Sequence, residues 1–587
     1  MSSDAAGIPA PTEIPFPAGA AIVTALIAAE TASALATTQI HAGYVALPDR
    51  VHAVTDAGAF ALAADADGET WGGNGVTVRL SHTDDGGLTV RVSAPGEALH
   101  RVRLHFGVRL PEGVTLLGDA FERGYGDLEW RGIVPERRFF WYFVSWHLPS
   151  ATGFGLGVET GAASLAHFTV DQSGYVLTLD TQNGGSGVRL GGRELLAATV
   201  RGVESPAAAN GTSRELTQAL CRRLCPNPRL PRFPVYGSNN WYYAYGRSSH
   251  EQILRDAELV ASLAPANTVN RPFMVIDDGW QPSSGFGGAM GGPHTHGNAR
   301  FPDMPGLARE MSARGTRPGI WIRPLAAAPD TAESLLLDRE RAAASEGGIH
   351  PTLDPTLPEN VALIADDIKR LTAEWGYELV KHDFTAFDLF GRWGFAMADG
   401  YTLPGWHFAD RSRTNAEIIT DLYRAIRDAA GDALLLGCNT VGHLGAGLFE
   451  LQRTGDDTSG REWERTRKMG VNTLAFRMAQ HDAFFAVDAD CVGIMRGEPV
   501  PWSLNRQWLD LLARSGTPLF VSADPDAVTG DIRAALTEAF ALAAVPRPVA
   551  EPMDWRNTTC PRRWLTYSDA GDGEERVYDW YDPSPHG

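Results

Sequence analysis

The chain has 587 residues, of which 44% are hydrophobic and 21% are charged, with 63 glycines and 37 prolines. This composition is typical of a globular protein with several domains, and it excludes collagen-like, coiled-coil and disordered chains. The formal net charge of −20 repels phosphate backbones and anionic lipids, so without a local basic stripe we expect no nucleic-acid partner and no membrane partner. A neutral or cationic ligand is predicted.

The cysteines and the N-terminus bear on the cellular compartment. Five cysteines are too few, and odd in number, for a disulfide scaffold. Cys221 and Cys225 lie in a helical pattern with no further ligand nearby to complete a zinc set, so we interpret them as buried thiols. The first residues lack a basic segment followed by an apolar run, and no run of about 18 apolar residues occurs that would predict a membrane span. These features favour a cytoplasmic location.

The first part of the chain consists of short alternating runs such as VTVRLSHTDDGGLTVRVSA, broken by glycine, aspartate and asparagine. This period-2 pattern with frequent turn signals predicts an N-terminal β-sandwich domain over residues 1–231. The aromatic run from Phe139 to Phe143 predicts a strand buried on both faces, and sugar stacking is the alternative role for it. The segment 225–231 contains three prolines and therefore marks a domain boundary.

Beyond this boundary, apolar runs of strand length alternate with helical patterns. Eight strand candidates follow one another in this region, and seven of them have a clear helix after them. Such alternation indicates parallel βαβ units, and eight units predict a closed (β/α)₈ TIM barrel over residues 232–544. The tail, 545–587, predicts a short C-terminal β element. The predicted fold class is therefore multidomain, with β and α/β parts.

Carboxylates end five of the predicted barrel strands. Active sites of such barrels lie at the carboxyl ends of the strands, so these side chains are expected to surround one mouth. Asp490 and Asp524, taken singly, are interpreted as helix caps, because aspartate is a preferred capping residue. The strand-end carboxylates are Asp277 and Asp278 on strand two, Asp383 on strand four, Asp456 and Asp457 on strand six, Asp488 and Asp490 on strand seven, and Asp524 on strand eight.

A ring of carboxylates with aromatic side chains nearby suits a neutral polyhydroxylated ligand. Carboxylates accept hydrogen bonds from vicinal hydroxyls, and aromatic faces cover the apolar side of a pyranose. The competing use of such a ring is a divalent metal site, but histidines are scarce at these strand ends, and we interpret His294 and His296 as solvated loop residues. We expect neither a metal nor a cofactor. The aromatic residues concerned are Trp241, Trp280, Trp321, Tyr243 and Tyr245.

The ordered motifs SNNWYYAY, MVIDDGW, GIWIRPL, ELVKHDF, LLLGCN, RTGDD, FFAVDAD and PLFVSAD resemble those of the α-galactosidase clan of retaining glycoside hydrolases, families 27 and 36. The β domain before the barrel makes family 36 the closer resemblance. What this implies is a retaining enzyme that cleaves terminal α-galactosyl residues from an oligosaccharide or glycoside without a cofactor.

The resemblance also implies roles for individual residues. Asp383, two residues after Lys381, corresponds to the nucleophile, and Asp456 corresponds to the general acid/base. Asp277 and Asp278 correspond to the residues that bind the 4- and 6-hydroxyls of galactose. The further residues expected in the substrate-binding site are Trp241, Trp280, Trp321, Arg323, Lys381, Cys438, Arg453 and Asp457.

The electrostatic surroundings expected for these aspartates support the same two catalytic roles. Asp383 shares a strand face with Lys381 and is therefore expected to stay ionised. Asp456 faces other carboxylates, so we expect its pKa to be raised, as a general acid requires. Asp457 is the alternative acid, because a tight turn can aim either side chain inward.

Two departures from the family pattern leave the specificity open. Arg323 stands where these families end strand three with a carboxylate or a small residue, and Ser459 replaces the last acid of the SDDTD element. Arg323 either pairs with a neighbouring carboxylate or recognises a charged or substituted sugar. The alternative functions are therefore an α-N-acetylgalactosaminidase, a raffinose-synthase-like α-galactosyltransferase, and an inactive sugar-binding protein on the same scaffold.

Overall fold

The computed structural model describes residues 40–41, 44–205, 212–266, 268–282, 291–341, 351–397, 400–568 and 570–581. Residues 1–39, with which the predicted first domain begins, lie outside this part of the chain. The described strands form a large antiparallel sheet, a parallel sheet, a small C-terminal antiparallel sheet and one two-stranded pair.

The N-terminal region is all antiparallel, as its alternating sequence predicts. In β7, for example, Val76, Val78 and Leu80 are buried while the residues between them are more exposed. The strands are Ile40–His41 (β1), Tyr44–Val45 (β2), Arg50–Thr55 (β3), Gly58–Ala61 (β4), Ala63–Ala64 (β5), Thr70–Gly73 (β6), Val76–His82 (β7), Leu88–Ser93 (β8), Leu99–Phe106 (β9), Val114–Asp119 (β10), Arg138–His147 (β11), Thr152–Val158 (β12), Leu165–Asp171 (β13), Gly174–Asp180 (β14) and Leu195–Glu204 (β15).

All strands from β3 through β15 are hydrogen-bonded into one continuous sheet. The predicted sandwich, in contrast, would consist of two separate sheets. The reason is a bend in β11 at Trp141, which has a positive φ of 66°. Before the bend β11 pairs with β13, and after it with β12. A bent strand of this kind turns a corner and belongs to both layers. Across the fold, the ring of Phe143 lies 5.2 Å from that of Phe168, so the two halves pack face to face.

The second region holds parallel strands at all eight predicted positions. Their near-continuous apolar runs fit strands that are buried on both faces, and all four residues of β17 are buried. The strands are Tyr236–Asn239 (β16), Phe273–Ile276 (β17), Arg317–Ile322 (β18), Leu379–His382 (β19), Leu434–Gly437 (β20), Leu451–Arg453 (β21), Ala486–Asp488 (β22), Cys491–Ile494 (β23) and Leu519–Ala523 (β24).

The predicted seventh strand, FFAVDAD, forms only the short strand β22, and a further strand that the sequence did not predict, β23, follows it. β22 pairs with β21, whereas β23 pairs with β24, which in turn pairs with β16. The ring of paired strands is thus interrupted only between β22 and β23 in the described chain. Asp490 lies in this interruption with a φ of 74° and turns the chain there.

Helices connect the parallel strands, as in βαβ units. They begin at favourable residues; for example, the side chain of Thr414 accepts a hydrogen bond from the backbone of Glu417 in a capping box. The α-helices are Ser213–Leu224 (α1), Trp241–Ala244 (α2), His250–Leu263 (α3), Met304–Ala313 (α4), Pro358–Lys369 (α5), Thr385–Phe390 (α6), Asn415–Ala430 (α7), Gly442–Gly445 (α8), Trp463–Arg465 (α9), Thr473–Arg477 (α10), Trp502–Arg514 (α11) and Gly530–Ala543 (α12).

The C-terminal region forms the small β element that its sequence predicts, with strands Glu551–Pro552 (β25), Arg563–Tyr567 (β26) and Gly573–Val577 (β27). Cys221 and Cys225 are buried thiols at the end of α1, as expected. Within the described residues, none of the helices combines the length and the apolar character needed to span a bilayer.

The loop of residues 120–137, between β10 and β11, connects the N-terminal sheet to the barrel through backbone hydrogen bonds. The amide of Gly124 donates to the carbonyl of Thr454 at 2.8 Å, and the amide of Asp456 donates to the carbonyl of Gly124 at 3.1 Å. Gly124 therefore adds a parallel bridge beside Gly455, just beyond the end of β21. This contact brings residues of the first domain to the mouth of the barrel.

Candidate active site

A cavity of about 130 Å³ opens where the strand ends of the barrel converge. The strand-end carboxylates meet there, as the barrel topology predicts. The predicted site residues that line it are Trp241, Asp277, Asp278, Trp321, Lys381, Asp383, Asp456 and Asp457.

Asp383 is held by a fixed set of donors at the end of β19. Its Oδ1 accepts from the backbone amide of Phe384 at 2.7 Å and from the side-chain amide of Asn439 at 2.5 Å, while its Oδ2 accepts from Trp321 Nε1 at 2.9 Å. Burial raises the pKa of Asp383, but Lys381, the Trp321 hydrogen bond, Arg123 and the Asn439 hydrogen bond together outweigh it, and the pKa lies below its usual value. Asp383 is therefore ionised at neutral pH, as predicted.

The residue after Asp383 has an unusual backbone conformation. Phe384 has a φ of 65°, in the left-handed region that a bulky residue rarely adopts. Such strain costs on the order of 1–3 kcal/mol and persists where the surroundings require it, often at functional sites. Here the strained turn directs the Phe384 amide toward the Asp383 carboxylate.

Asp277 and Asp278 lie side by side after β17. Asp277 Oδ2 accepts from Lys381 Nζ and from Asn239 Nδ2, both at 2.7 Å. Asp278 accepts from Gln281 at 2.5 Å, and burial raises its pKa to about 6. The pair presents two carboxyl groups to one wall of the cavity, where each can accept from a different ligand hydroxyl.

Asp456 is bound by two arginines. Arg123 Nη1 lies 3.0 Å from its Oδ1, and Arg465 Nη2 lies 2.8 Å from its Oδ2. Burial raises its pKa, but Arg123, a backbone amide and Arg465 lower it by more, so the pKa lies below its usual value. The expectation of a raised pKa for Asp456 is wrong, because the sequence does not reveal the two arginines.

Asp457, the next residue, has the opposite surroundings. Burial raises its pKa, and the nearby Asp490 and Asp456 carboxylates raise it further. Arg453 lowers it through an Nη2–Oδ1 contact of 3.3 Å, yet the balance leaves the pKa above its usual value. About a third of the Asp457 side chain is exposed. Asp457 is thus the better proton donor of the two adjacent aspartates.

Four predicted binding residues lie outside the cavity lining, and two of them support it from behind. Trp280 is fully buried, and its Nε1 donates to the carbonyl of Trp321 at 3.0 Å. Arg323 is buried and donates to Asp388, with an Nε–Oδ2 distance of 2.9 Å, while its guanidinium covers the ring of Phe384. Of the two interpretations of Arg323, pairing with a carboxylate is the one observed.

Cys438 and Arg453 lie beneath the cavity. The Cys438 thiol is buried, and Arg453 Nη1 approaches its sulfur at 3.7 Å. Arg453 also forms an ion pair with Asp490 at 3.0 Å. Asp490 is not a helix cap, because its carboxylate accepts from Tyr242 and Thr458 inside the barrel. Asp524, in contrast, does cap a helical turn, accepting from the amide of Asp526.

The sequence did not predict four further lining residues: Arg123, Phe384, Trp393 and Asn439. Arg123 comes from the N-terminal domain, and its guanidinium lies 5.4 Å from the Trp393 ring. Asn439 follows β20 and is the one with a sequence signal, because it is a polar residue at a strand end. Phe384 directly follows the predicted Asp383, whereas Arg123 and Trp393 reach the cavity through contacts between distant segments.

In the part of the chain that the structure describes, no group of three or more histidine, cysteine, aspartate or glutamate side chains is arranged to hold a metal ion. His294 is buried against Asp367, with 3.5 Å between Nδ1 and Oδ2, so it is not the solvated loop residue that the sequence suggested.

No family model matches the chain, and neither does any curated protein sequence. Solved structures do match. The α-galactosidase TtGalA from Thermus thermophilus, in complex with p-nitrophenyl α-D-galactopyranoside, is 19% identical with a TM-score of 0.57, covering 90% of this chain and 99% of that one. The family 36 α-galactosidase AgaA from Geobacillus stearothermophilus, in complex with stachyose, is 15% identical with a TM-score of 0.57, covering 89% and 79%.

The chain has the fold of the family 36 α-galactosidases. The galactosidase domain of the α-galactosidase–sucrose kinase AgaSK is also similar to this chain, with 14% identity, a TM-score of 0.53, and coverage of 87% of this chain and 72% of that one. The resemblance noted in the sequence is thereby confirmed at the level of the fold.

Proposed function

We propose that the protein is a retaining glycoside hydrolase that removes terminal α-galactosyl residues, with Asp383 as nucleophile and Asp457 as general acid/base. The observation that carries this proposal is the pairing, in one cavity, of a carboxyl with a lowered pKa and a carboxyl with a raised pKa. Glycosidic cleavage by double displacement requires these two states. The fold, shared with α-galactosidases bound to galactosides, supports the choice of sugar.

The nucleophilic oxygen is Oδ2 of Asp383. Among the described residues, Oδ1 accepts from three N–H groups, those of the Phe384 amide and of the amide and side chain of Asn439, whereas Oδ2 accepts from Trp321 alone. A carboxylate oxygen has two lone-pair sites, so Oδ2 keeps one for the anomeric carbon. The donors to Oδ1 fix the carboxylate plane, which limits the reorganisation needed at the moment of attack.

In the first step, Oδ2 of Asp383 attacks the anomeric carbon while Asp457 gives its proton to the leaving oxygen. The glycosidic C–O bond breaks and a covalent galactosyl ester forms. In the second step, Asp457, now ionised, takes a proton from water, which attacks the same carbon and releases Asp383. Two inversions give net retention. Asp277 and Asp278 accept from the 4- and 6-hydroxyls of the sugar in this proposal.

The test is a panel of p-nitrophenyl glycosides. We expect hydrolysis of the α-galactoside, slower hydrolysis of the α-N-acetylgalactosaminide, and little hydrolysis of the α-glucoside or the β-galactoside. Proton NMR is expected to show the α-anomer of galactose first, before mutarotation. Asp383→Asn serves as the inactive control. Absence of α-galactoside cleavage would refute the proposal, and a β-anomer appearing first would make Asp383 a general base acting through water.

A further inference from the structure

A second pocket, of about 550 Å³, lies at the same end of the barrel, beside the catalytic cavity. Residues 243–245 line this pocket, while Trp241, two residues earlier, lines the cavity. The rings of Trp241 and Tyr245 are 5.1 Å apart, so these two side chains form the wall between the pocket and the cavity. We call this second space the arginine pocket, after Arg247, Arg461 and Arg496, which line it.

The arginine pocket has an excess of positive charge, although the chain as a whole carries −20. Its three arginines face one lining carboxylate, Asp524. Arg496 is neutralised, because it binds both Asp524, at 2.8 Å, and Asp526. Arg461 forms no ion pair with a carboxylate among the described residues: its guanidinium stacks on the Tyr245 ring at 4.7 Å and donates to one backbone carbonyl.

A buried hydroxyl in the same pocket also lacks a partner. Ser248 lines the arginine pocket and is only 4% exposed, and its Oγ has no hydrogen-bond partner among the described residues. Buried polar groups are nearly always hydrogen-bonded, so an unpaired one needs an explanation. A bound ligand that accepts hydrogen bonds from both this hydroxyl and the Arg461 guanidinium would explain the missing partner.

The arginine pocket lies on the side of the cavity where the leaving group of the substrate is expected. Arg461 follows Asp457 by four residues in the loop after β21. A general acid lies on the side of the leaving oxygen that it protonates, so the leaving group extends toward the loop that carries Asp457. Asp457 is protonated, and therefore uncharged, when it acts as the acid, so it does not repel an anion at that moment.

We infer that the arginine pocket binds the leaving group and selects one that carries an anionic substituent, such as a carboxylate. This inference rests on the proposed function and narrows its substrate class to α-galactosides with an acidic aglycone. Hydrolysis breaks the bond between the anomeric carbon and the leaving oxygen, which takes the proton of Asp457, and water completes the galactose. The acidic aglycone leaves as a free alcohol or phenol, with its anion unchanged.

The experiment compares 3-carboxyphenyl α-D-galactopyranoside with its uncharged isostere, the 3-carbamoylphenyl galactoside. We expect kcat/KM to favour the acid by at least about tenfold at low salt, which corresponds to the lower end of the free energy of a hydrogen bond to a charged group. Arg461→Gln should bring the ratio close to one, and Ser248→Ala should lower it. Arg506→Gln, which alters an exposed arginine on α11, should leave it unchanged. A wild-type ratio of one or less, or a ratio that Arg461→Gln does not alter, would overturn the inference.

A binding measurement separates this inference from the proposed function. Titration calorimetry of 3-hydroxybenzoate against the wild-type protein probes the arginine pocket without turnover, with 3-hydroxybenzamide as the uncharged control. We expect the acid to bind more tightly, and Arg461→Gln to abolish the difference. Equal binding of the two compounds contradicts the anion site even if galactosides are cleaved. Failure to cleave any galactoside, with binding as expected, contradicts the proposed function instead.

Discussion

Two adjacent aspartates at the end of β21 differ in their electrostatic surroundings. Asp456 lies between Arg123 and Arg465, which lower its pKa, whereas Asp457 lies beside Asp490 and has a raised pKa. The sequence places both residues at the barrel mouth but does not decide between them. What favours Asp457 as the proton donor is the binding of Asp456 by two guanidinium groups, one of them from another domain, which no local pattern reveals.

Replacing each of the two aspartates tests this assignment. Asp457→Asn is expected to lower kcat/KM for raffinose, whose leaving group needs protonation, by about 10²–10⁴-fold, the usual contribution of a general acid. With 2,4-dinitrophenyl α-galactoside, whose leaving group needs no proton, the first step should survive. Azide should then restore turnover and yield galactosyl azide, which chromatography detects.

Asp456→Asn is the matched control for Asp457→Asn. It removes the negative charge that Arg123 and Arg465 bind, so we expect a smaller loss, similar on both substrates and not rescued by azide. The reverse pattern, with leaving-group dependence and azide rescue in the Asp456 variant, would assign the acid/base role to Asp456.

At the level of elements, local patterns are enough to predict eight of the nine described barrel strands, all except β23, and the small C-terminal sheet. They do not predict the bend of β11 at Trp141, because the change of partner depends on pairing between distant strands. Nor do they predict that the loop of residues 120–137 reaches β21, since Gly124 bonds to residues more than 300 positions away. The eight predicted lining residues follow from strand ends, and Arg123 does not.

The loop that carries Arg123 is expected to set the pH range of activity. Arg123 lowers the pKa of Asp383, Asp456 and Asp457. Without this positive charge the neutral carboxyl is favoured, so Arg123→Gln raises the pKa values of both nucleophile and acid. The acid limb of the kcat/KM profile reports the nucleophile and the alkaline limb reports the acid. Both limbs should therefore move to higher pH.

The measurement is a pH profile of kcat/KM with p-nitrophenyl α-galactoside for the wild type, Arg123→Gln and the remote control Arg506→Gln. The control profile should overlay that of the wild type. A profile of Arg123→Gln that keeps both limbs in place, or moves them to lower pH, would contradict an electrostatic role for Arg123 in the site.

The close approach of the loop to β21 depends on a glycine. A Cβ at Gly124 would lie 2.8 Å from the Thr473 methyl and 3.5 Å from the Thr454 carbonyl oxygen. Overpacking of this kind costs about 1–3 kcal/mol, so Gly124→Ala should lower the free energy of unfolding and reduce kcat/KM through displacement of Arg123. Gly132→Ala in the same loop meets no atom within 4 Å and is the matched control. Urea unfolding and steady-state kinetics measure both effects, and equal behaviour of the two variants would contradict the docking role of Gly124.

At the scale of the whole molecule, the N-terminal domain and the barrel share a buried polar interface. Asp119, at the end of β10, forms an ion pair with Arg477 of α10 at 2.8 Å, and both side chains are 3% exposed. Arg477 also donates to the carbonyl of Thr454, next to the end of β21. The ring of His443 from the barrel stacks on Trp141 of the sheet, with centroids 4.6 Å apart. The interface thus connects the bend of β11 with β21, the strand that precedes Asp456 and Asp457.

The Asp119–Arg477 pair is expected to account for much of the coupling between the two domains. Asp119→Ala leaves the Arg477 guanidinium buried without its counter-charge, which costs about 3–5 kcal/mol. Glu194→Ala removes the partner of Arg79 from an ion pair at the surface, whose side chains are 60% (Arg79) and 34% (Glu194) exposed, and should cost about 0–1 kcal/mol. Urea unfolding followed by tryptophan fluorescence compares the two variants. If the interface joins the domains, wild type and Glu194→Ala unfold in one transition. Asp119→Ala should unfold earlier and lose activity, because Arg477, one of two donors to the Thr454 carbonyl, is no longer held in place. Equal midpoints for the two variants would mean that the buried pair contributes no more than an exposed one, and that other contacts hold the first domain on the barrel.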